Sequence, residues 1–225
     1  SDHWQLGGSA AFVGDVVRLT PDEQSMVGFI QGRTPLRTIG MEWVVDVEVR
    51  LSGQGITLFG DGMALWMTAS RFKPGPVFGH ASSWTGVGVF IDTYDNTGGR
   101  HTHKHPYVSA MYNDGTLEYF HDASGTHSSQ HSDVGCSARV RQYGAEEKVV
   151  ALRLSYRASR LTMRMHTGRR GDNARKPDHE FLECFTLKDI HIPPGYYIGM
   201  SASTGDLTDA HDVLSLKVRG QVDGH

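Results

Sequence analysis

Asp92, Asp95 and Asn96 close an apolar run, FIDTYDN from Phe90 to Asn96, with Tyr94 between them. Oxygen donors packed this closely at a strand exit suit a hard cation such as Ca²⁺. A further carboxylate, Asp61, stands between Gly60 and Gly62 in GDGMALW, where the backbone can turn tightly and leave the side chain uncovered. An ionised carboxylate accepts two hydroxyls through charge-assisted bonds, and an Asn amide offers both a donor and an acceptor. An Asp and an Asn beside a bound Ca²⁺ therefore make a clamp for sugar hydroxyls, and the pattern points to carbohydrate binding. Taken singly, each piece has a plainer reading: a polar exit from a strand, or an ordinary turn.

Strands must position these residues. In Glu42 to Arg50, Trp43, Val45, Val47 and Val49 alternate with Val44, Asp46, Glu48 and Arg50, a period of two with one face buried. Val149 to Tyr156 repeats the pattern through Val150, Leu152, Leu154 and Tyr156. Arg160 to His166 does so through Leu161, Met163 and Met165, with Arg157-Ala158-Ser159 as the hairpin connection. Gly86 to Ile91 is almost wholly apolar, as a strand covered on both faces should be. Tyr107 to Tyr112 and Thr116 to Phe120 flank Asn113-Asp114-Gly115, which predicts a second hairpin. Tyr196 to Ala202 and Val213 to Val218 supply late strands, and the charged segment from Gly168 to Pro177 reads as a loop. Long amphipathic helices are missing, so an antiparallel sandwich or jelly roll is expected.

Composition narrows the classes. The chain has 225 residues, 38% of them apolar, enough for a sizeable core. A net charge of -3 gives no reason to expect nucleic acid as a partner. No apolar run approaches the twenty or so residues that span a bilayer, and no signal peptide is visible at Ser1 to Gly8. Cys136 and Cys184 are either two buried thiols or one disulfide. Asn96, Asn113 and Asn173 all lack the hydroxyl that an N-glycan acceptor needs. His101, His103 and His105 have the look of a zinc cluster, but alternating histidines in a polar loop are expected to be solvated. Trp66 is assigned to the core, while Trp84 and Tyr94 could stack on a sugar.

GDGMALW, PGPVFG at Pro74 to Gly79, FIDTYDN, YFHDASG and SASTGDLTDAHDVLSL occur in that order along the chain. With these motifs the chain resembles the L-type lectins related to legume lectins, from about Trp4 to Arg219. Within them it is most similar to the animal and fungal cargo receptors that work between endoplasmic reticulum and Golgi. The resemblance implies an all-β, concanavalin-like antiparallel β-sandwich, with residues 1–225 as a single luminal lectin domain. It implies Ca²⁺-dependent binding of high-mannose N-glycans on glycoprotein cargo, in transport or quality control, and no catalysis. Family members are commonly membrane-anchored beyond the lectin domain, and several copies would strengthen a weak single site.

The resemblance also carries roles to single residues. Asp61 matches the carboxylate that accepts mannose hydroxyls, and Asn96 the residue that touches both sugar and Ca²⁺. Asp92 matches a side-chain Ca²⁺ ligand, and Tyr94 a ligand through its backbone carbonyl. His121 matches a histidine beside the sugar, Gly205, Asp206 and Leu207 a loop of backbone donors, and Ser25 a serine at the edge. Cys136 and Cys184 match the family's single disulfide. If His121 must be neutral, its protonation near pH 6.5 would release glycan in an acidic compartment.

One position departs from the family. An Asp usually stands three residues after the histidine and ligates Ca²⁺; here Ser124 does, with Asp122 one residue after His121. A neutral oxygen is the weaker ligand, so either Asp122 or Ser124 completes a weaker site or the metal is lost. That loss would leave a protein-interaction domain of the same fold. A glycoside hydrolase is the third class. Asp46 and Glu48 are its best same-face pair, and they lack the setting that two carboxyls about 5–5.5 Å apart across a bond require.

Overall fold

The computed structural model describes residues 3–36, 42–98, 103–119, 134–142, 148–169 and 180–220. Alternating apolar residues set its strands. In the first half these are β1 (Trp4–Gly8), β2 (Ala11–Val13), β3 (Val16–Thr20), β4 (Val27–Gly32), β5 (Trp43–Ser52), β6 (Gly62–Thr68), β7 (Pro74–Val77) and β8 (Thr85–Asp92). The second half adds β9 (Tyr107–Asp114), β10 (Gly135–Ser137), β11 (Lys148–Arg157), β12 (Arg160–Arg169), β13 (Leu182–Leu187), β14 (Tyr197–Ser203) and β15 (Ala210–Gly220). All but β7 form a front sheet ordered β1-β4-β14-β6-β8-β9-β10 and a back sheet ordered β13-β12-β11-β5-β15-β3-β2, with antiparallel pairing throughout. The expected all-β sandwich is what the chain forms.

Three predicted strands lie where their alternation put them. Val45, Val47 and Val49 of β5 pack with Leu152 and Leu154 of β11 and with Leu161 and Met163 of β12, all buried between the sheets. Each such side chain, fully buried, contributes about 1.5–3 kcal/mol. The β11–β12 register pairs Arg157 with Arg160, so the connection narrows to Ala158 and Ser159, both at positive φ. Strand β12 runs on to Arg169, so the predicted loop begins later than expected; residues 170–179 lie outside the described residues.

The front sheet is buried on both faces, as the apolar run at Gly86 to Ile91 requires. Met63, Leu65 and Met67 face the back sheet, while Ala64, Trp66, Phe90 and Met111 face outward. Val77, Phe78, Trp84 and Tyr119 close over that outer face as a second apolar cluster. Trp66 is 2% exposed and donates its indole N–H to Ser201 Oγ at 2.8 Å. Trp84 is buried beside it, ring centroids 5.0 Å apart, and so belongs to this cluster rather than to a sugar-stacking surface.

The predicted strand at Thr116 to Phe120 does not form over residues 116–119, and Phe120 lies outside the described residues. Asn113 folds back instead, its side-chain amide donating to Leu117 O at 2.8 Å, while the Tyr119 amide donates to Ser82 O. Tyr119 thereby joins the outer cluster, and the free edge of β9 is taken by β10. Cys136 of β10 and Cys184 of β13 are disulfide-bonded with Cα atoms 5.2 Å apart. The bond ties one edge of the front sheet to one edge of the back sheet, as the family resemblance implied.

Candidate functional site at the rim of the front sheet

Register decides where the site lies. Val27 pairs with Ser203, Ser203 with Gly62, Gly62 with Asp92 and Asp92 with Tyr107. This single row crosses five strands at one end of the front sheet. The chain just beyond it therefore gathers Ser25, Asp61, Tyr94 to Asn96 and Gly205 to Leu207, although the sequence scatters them over 180 or so positions.

Asp61 is the centre of one half of the rim. The Gly60–Asp61 peptide is cis. The Asp61 amide donates to Ser203 O at 3.1 Å, and its carbonyl accepts from the Thr93 amide at 3.1 Å and from Thr93 Oγ1 at 3.0 Å. Ser203 Oγ donates to the Asp61 carboxylate at 3.3 Å. Gly62 sits at φ +136°, and a Cβ there would meet Ile91 O at 2.1 Å, so only glycine follows Asp61 in this backbone. A Cβ on Gly205 would lie 3.4 Å from Asp61 Oδ1, so the bare Cα of Gly205 borders the carboxylate. On the other side, a Cβ on Gly60 would meet the Cβ atoms of Tyr94 and Leu207 at 3.4 and 3.5 Å.

The loop carrying Ser25 is latched to the loop after β14. Ser25, at φ +58°, donates its amide to Gly205 O at 3.1 Å, and Gln24 donates to Asp206 O at 2.8 Å. Thr204 Oγ1 accepts from the Met26 amide at 2.9 Å and donates to Glu23 O at 2.6 Å. Seven of the expected residues thus stand along this rim: Ser25, Asp61, Asp92, Tyr94, Gly205, Asp206 and Leu207, with Asn96 exposed on the adjoining turn.

The Asp92–Asn96 half is held more locally. The buried Asp92 accepts the Tyr94 amide on Oδ1 at 3.2 Å, and Asp95 Oδ1 accepts the Thr97 amide and hydroxyl at 2.8 and 2.6 Å. Asp92 Oδ2 lies 3.5 Å from His105 Nε2, whose side chain is 7% exposed. That overturns the expectation of a solvated His105; its neighbour His103 stacks on Tyr107 with ring centroids 3.6 Å apart. His101 lies outside the described residues. No three His, Cys, Asp or Glu side chains converge among the described residues, so the zinc reading of this loop gains no support. Asp92, the Tyr94 carbonyl and Asn96 are an all-oxygen donor set with one carboxylate, which fits a hard cation rather than a soft one. His121, Asp122 and Ser124 also lie outside the described residues.

Beneath the rim lies a buried ion pair that sequence reasoning missed. Arg141, 1% exposed, donates from Nε and Nη2 to the fully buried Asp209 at 2.7–2.9 Å. Burial pushes the Asp209 carboxyl above its ordinary range, and Arg141 pulls it back part of the way. Thr20 Oγ1 donates to Asp209 O at 3.1 Å and lies 2.7 Å from His211 Nδ1, so His211 is the donor in that second contact. Complete burial lowers the His211 pKa to about 4. The signal available in sequence was only the second Arg of RVR and the first Asp of TDAHD, with nothing to pair them.

Asp46 of the hydrolase pair is engaged elsewhere. Asp46 accepts Arg153 Nε at 2.6 Å and also pairs with Arg219, on the outer face of the back sheet.

A family model, that of the legume-like lectin family, matches residues 2–225. The chain belongs to the legume-like lectin family. Within the family, the VIP36-like protein of mouse is 38% identical over 219 residues, which cover 97% of this chain and 58% of that protein. Protein ERGIC-53 of rat is 32% identical over 212 residues, covering 94% of this chain and 38% of that protein. The chain thus spans about half the length of the curated relatives it matches. Its fold matches the crystal structure of the VIP36 exoplasmic/lumenal domain in a Ca²⁺/Man3GlcNAc-bound form. There the TM-score is 0.84 at 35% identity, covering 100% of this chain and 87% of that one.

Proposed function

We propose that this chain is the luminal lectin domain of a cargo receptor. It binds high-mannose N-glycans on glycoproteins with the help of Ca²⁺ and catalyses nothing. The observation that carries the reading is the rim: one register row gathers the Asp61 carboxylate, the bare Gly205 and the Asp92–Asn96 turn. A family member with this fold has been crystallised with Ca²⁺ and Man3GlcNAc, which supports the same ligand class here.

Each residue has a distinct role in this reading. Asp61 accepts two vicinal hydroxyls of mannose. Backbone amides at Gly205 and Asp206 donate where a side chain would obstruct, and Ser25 and Leu207 border the sugar. Asn96 serves sugar and metal together, and His121 stands beside the sugar. Asp92, the Tyr94 carbonyl, Asn96 and either Asp122 or Ser124 would hold the cation. Bound Ca²⁺ supplies a fixed positive charge that orders the 92–96 turn and lowers the entropy lost when sugar binds. The domain serves in the lumen of the endoplasmic reticulum, intermediate compartment or Golgi. It belongs to a longer, membrane-anchored protein whose copies gain strength together.

Ser124 favours a second reading, an interaction domain with a degenerate site, because a neutral ligand weakens Ca²⁺ binding. Calorimetric titration with a high-mannose glycan, with Ca²⁺ and with chelator, separates the two. Binding lost with chelator supports the Ca²⁺-dependent lectin; no binding in either condition supports the interaction domain.

A further inference from the structure

Three loops supply the sugar-facing half of the rim, and their bases meet at one cluster around Asp22 and Asp209. Asp22, on the loop that carries Ser25, accepts the Thr208 hydroxyl at 2.5 Å and the Gln54 amide at 2.8 Å. It thereby joins its own loop to the loop ending at Asp209 and to the loop ending at Asp61. Asp209 lies against Asp22, and a Cβ on Gly53 would fall within 3.0 Å of both carboxylates, so the two acids share a space that tolerates no side chain. Asp209 itself is fully buried, and a buried carboxylate with a second acid beside it needs a cation. Arg141 is that cation. Its guanidinium grips Asp209 with two nitrogens and lies 4.3 Å over the Phe59 ring, two residues before Asp61.

Arg141 itself comes from none of these loops. It is held from behind, by the bridge of its backbone to Leu51 and the Gln142 amide donating to Leu51 O at 2.8 Å. One side chain anchored on the back sheet therefore touches the stems of two of the loops that would contact sugar. The Asp92–Asn96 turn is tied differently: Thr93 donates to Asp61 O, Asp92 faces His105, and Asp92–Tyr94 and Asp95–Thr97 close the turn on itself.

We propose that Arg141 is a positioning residue for glycan recognition, acting through the loop stems at Asp209 and Phe59 to set the Asp61 carboxylate against the Gly205–Leu207 amides. This rests on the lectin reading above. A planar guanidinium does this where an ammonium cannot, because bidentate pairing and ring stacking both need the plane.

The test uses Arg141→Lys and Phe59→Leu, each with two readouts: the Kd for a high-mannose glycan at saturating Ca²⁺, and the Kd for Ca²⁺ alone. Both are taken well below the measured Tm. Arg141→Lys is expected to weaken glycan binding about tenfold, the usual size of an outer-partner effect, and to leave Ca²⁺ affinity within about twofold. Phe59→Leu keeps the ion pair and should weaken glycan binding about threefold with the same silence toward Ca²⁺. Unchanged glycan affinity in a folded Arg141→Lys protein overturns the inference. So does a parallel fall of both affinities, which would mark a merely structural role. If Arg141→Lys does not fold, Phe59→Leu decides by the same criteria. Failure of the wild-type chain to bind glycan would sink the lectin reading itself, a result distinct from either of these.

Discussion

The two halves of the rim are built in different ways. Asp61 and Gly205 to Leu207 are cross-braced from distant parts of the chain: Ser203, Thr93, Ser25 and, underneath, Arg141 and Asp22. The Asp92–Asn96 turn is held mainly by contacts two residues long, Asp92 to Tyr94 and Asp95 to Thr97, with Thr93 reaching Asp61 O and His105 lying beside Asp92. Long-range bracing fixes a side chain before a ligand arrives, whereas short Asx-type turns leave a segment free to move as a unit. The fold thus braces the Asp61–Gly205 half from a distance, and in the proposed reading a bound cation would order the other. Removing a group from the braced half should cost ligand affinity directly, and changes in the metal half should act through Ca²⁺.

The sharpest way to break this comparison is Asp61→Asn. The change keeps shape and removes the charge that strengthens two hydrogen bonds, so glycan affinity should fall about 100-fold. Because the backbone bonds of Asp61 remain, Tm should stay within about 2 °C of the wild type. Calorimetry and a thermal melt check both. A large Tm drop with the affinity loss would show that Asp61 is structural, and the division between halves would fail.

Much of this was legible in the sequence, for physical reasons that differ by region. Strands β5, β11 and β12 declare themselves because one face meets the core and the other carries Asp46, Glu48, Arg153 and Arg164 toward water. Thr116 to Phe120 misled, since an Asn-Asp-Gly turn between apolar runs is the usual mark of a hairpin. What won was tertiary: the Asn113 amide captured Leu117 O, and Tyr119 found an aromatic pocket against Phe90, centroids 4.8 Å apart. The strands before Gly32 carry no long alternation and went unassigned. The motif residues of the rim could be named because the family resemblance supplied their roles. The Arg141–Asp209 pair spans 68 positions and Asp22–Thr208 spans 186, and no local pattern announces partners that far apart. His105 was misread because a histidine-rich polar loop gives no hint that one ring turns back to Asp92.

Gly205→Val presses on the braced half from the side. Its Cβ would stand 3.4 Å from Asp61 Oδ1, and the two added methyls must enter the space where hydroxyls would sit. Overpacking of about 1–3 kcal/mol predicts a glycan affinity reduced roughly tenfold or more, with Ca²⁺ affinity unchanged. Equal losses in both would mean that the halves are coupled. Ser124→Asp works from the opposite side. Adding a charged ligand should raise Ca²⁺ affinity about tenfold, while glycan affinity at saturating Ca²⁺ changes little. Isothermal titration with metal first and glycan second reads both numbers from one sample. No gain in Ca²⁺ affinity would exclude position 124 from the metal's ligands.

The smallest effect expected is on stability, and it singles out the ground beneath the braced half. His211 touches Thr20, which holds Asp209 O, and its pKa is lowered to about 4 because burial disfavours the charged ring. His80 is lowered too, chiefly by burial between Trp66 and Phe72, the Ala81 carbonyl opposing and Lys73 assisting. An unfolded histidine takes its proton near pH 6.5, so between there and the folded value the unfolded state binds more protons. Stability therefore rises with pH across that window and is lost as pH falls through it. For His211 alone, acidifying from about pH 7 to about 5.5 should remove about 1 kcal/mol, a Tm lower by roughly 2–4 °C. His211→Gln keeps an amide donor for Thr20 and cannot titrate, so its Tm should fall less over the same range. Comparing the slopes cancels Asp209 and Asp212, which are common to both proteins. An identical slope in the variant would remove His211 from the pH response. A shallower slope whose Ca²⁺ affinity does not follow would place the acid-sensitive element under Asp61 and Gly205, not under the metal turn.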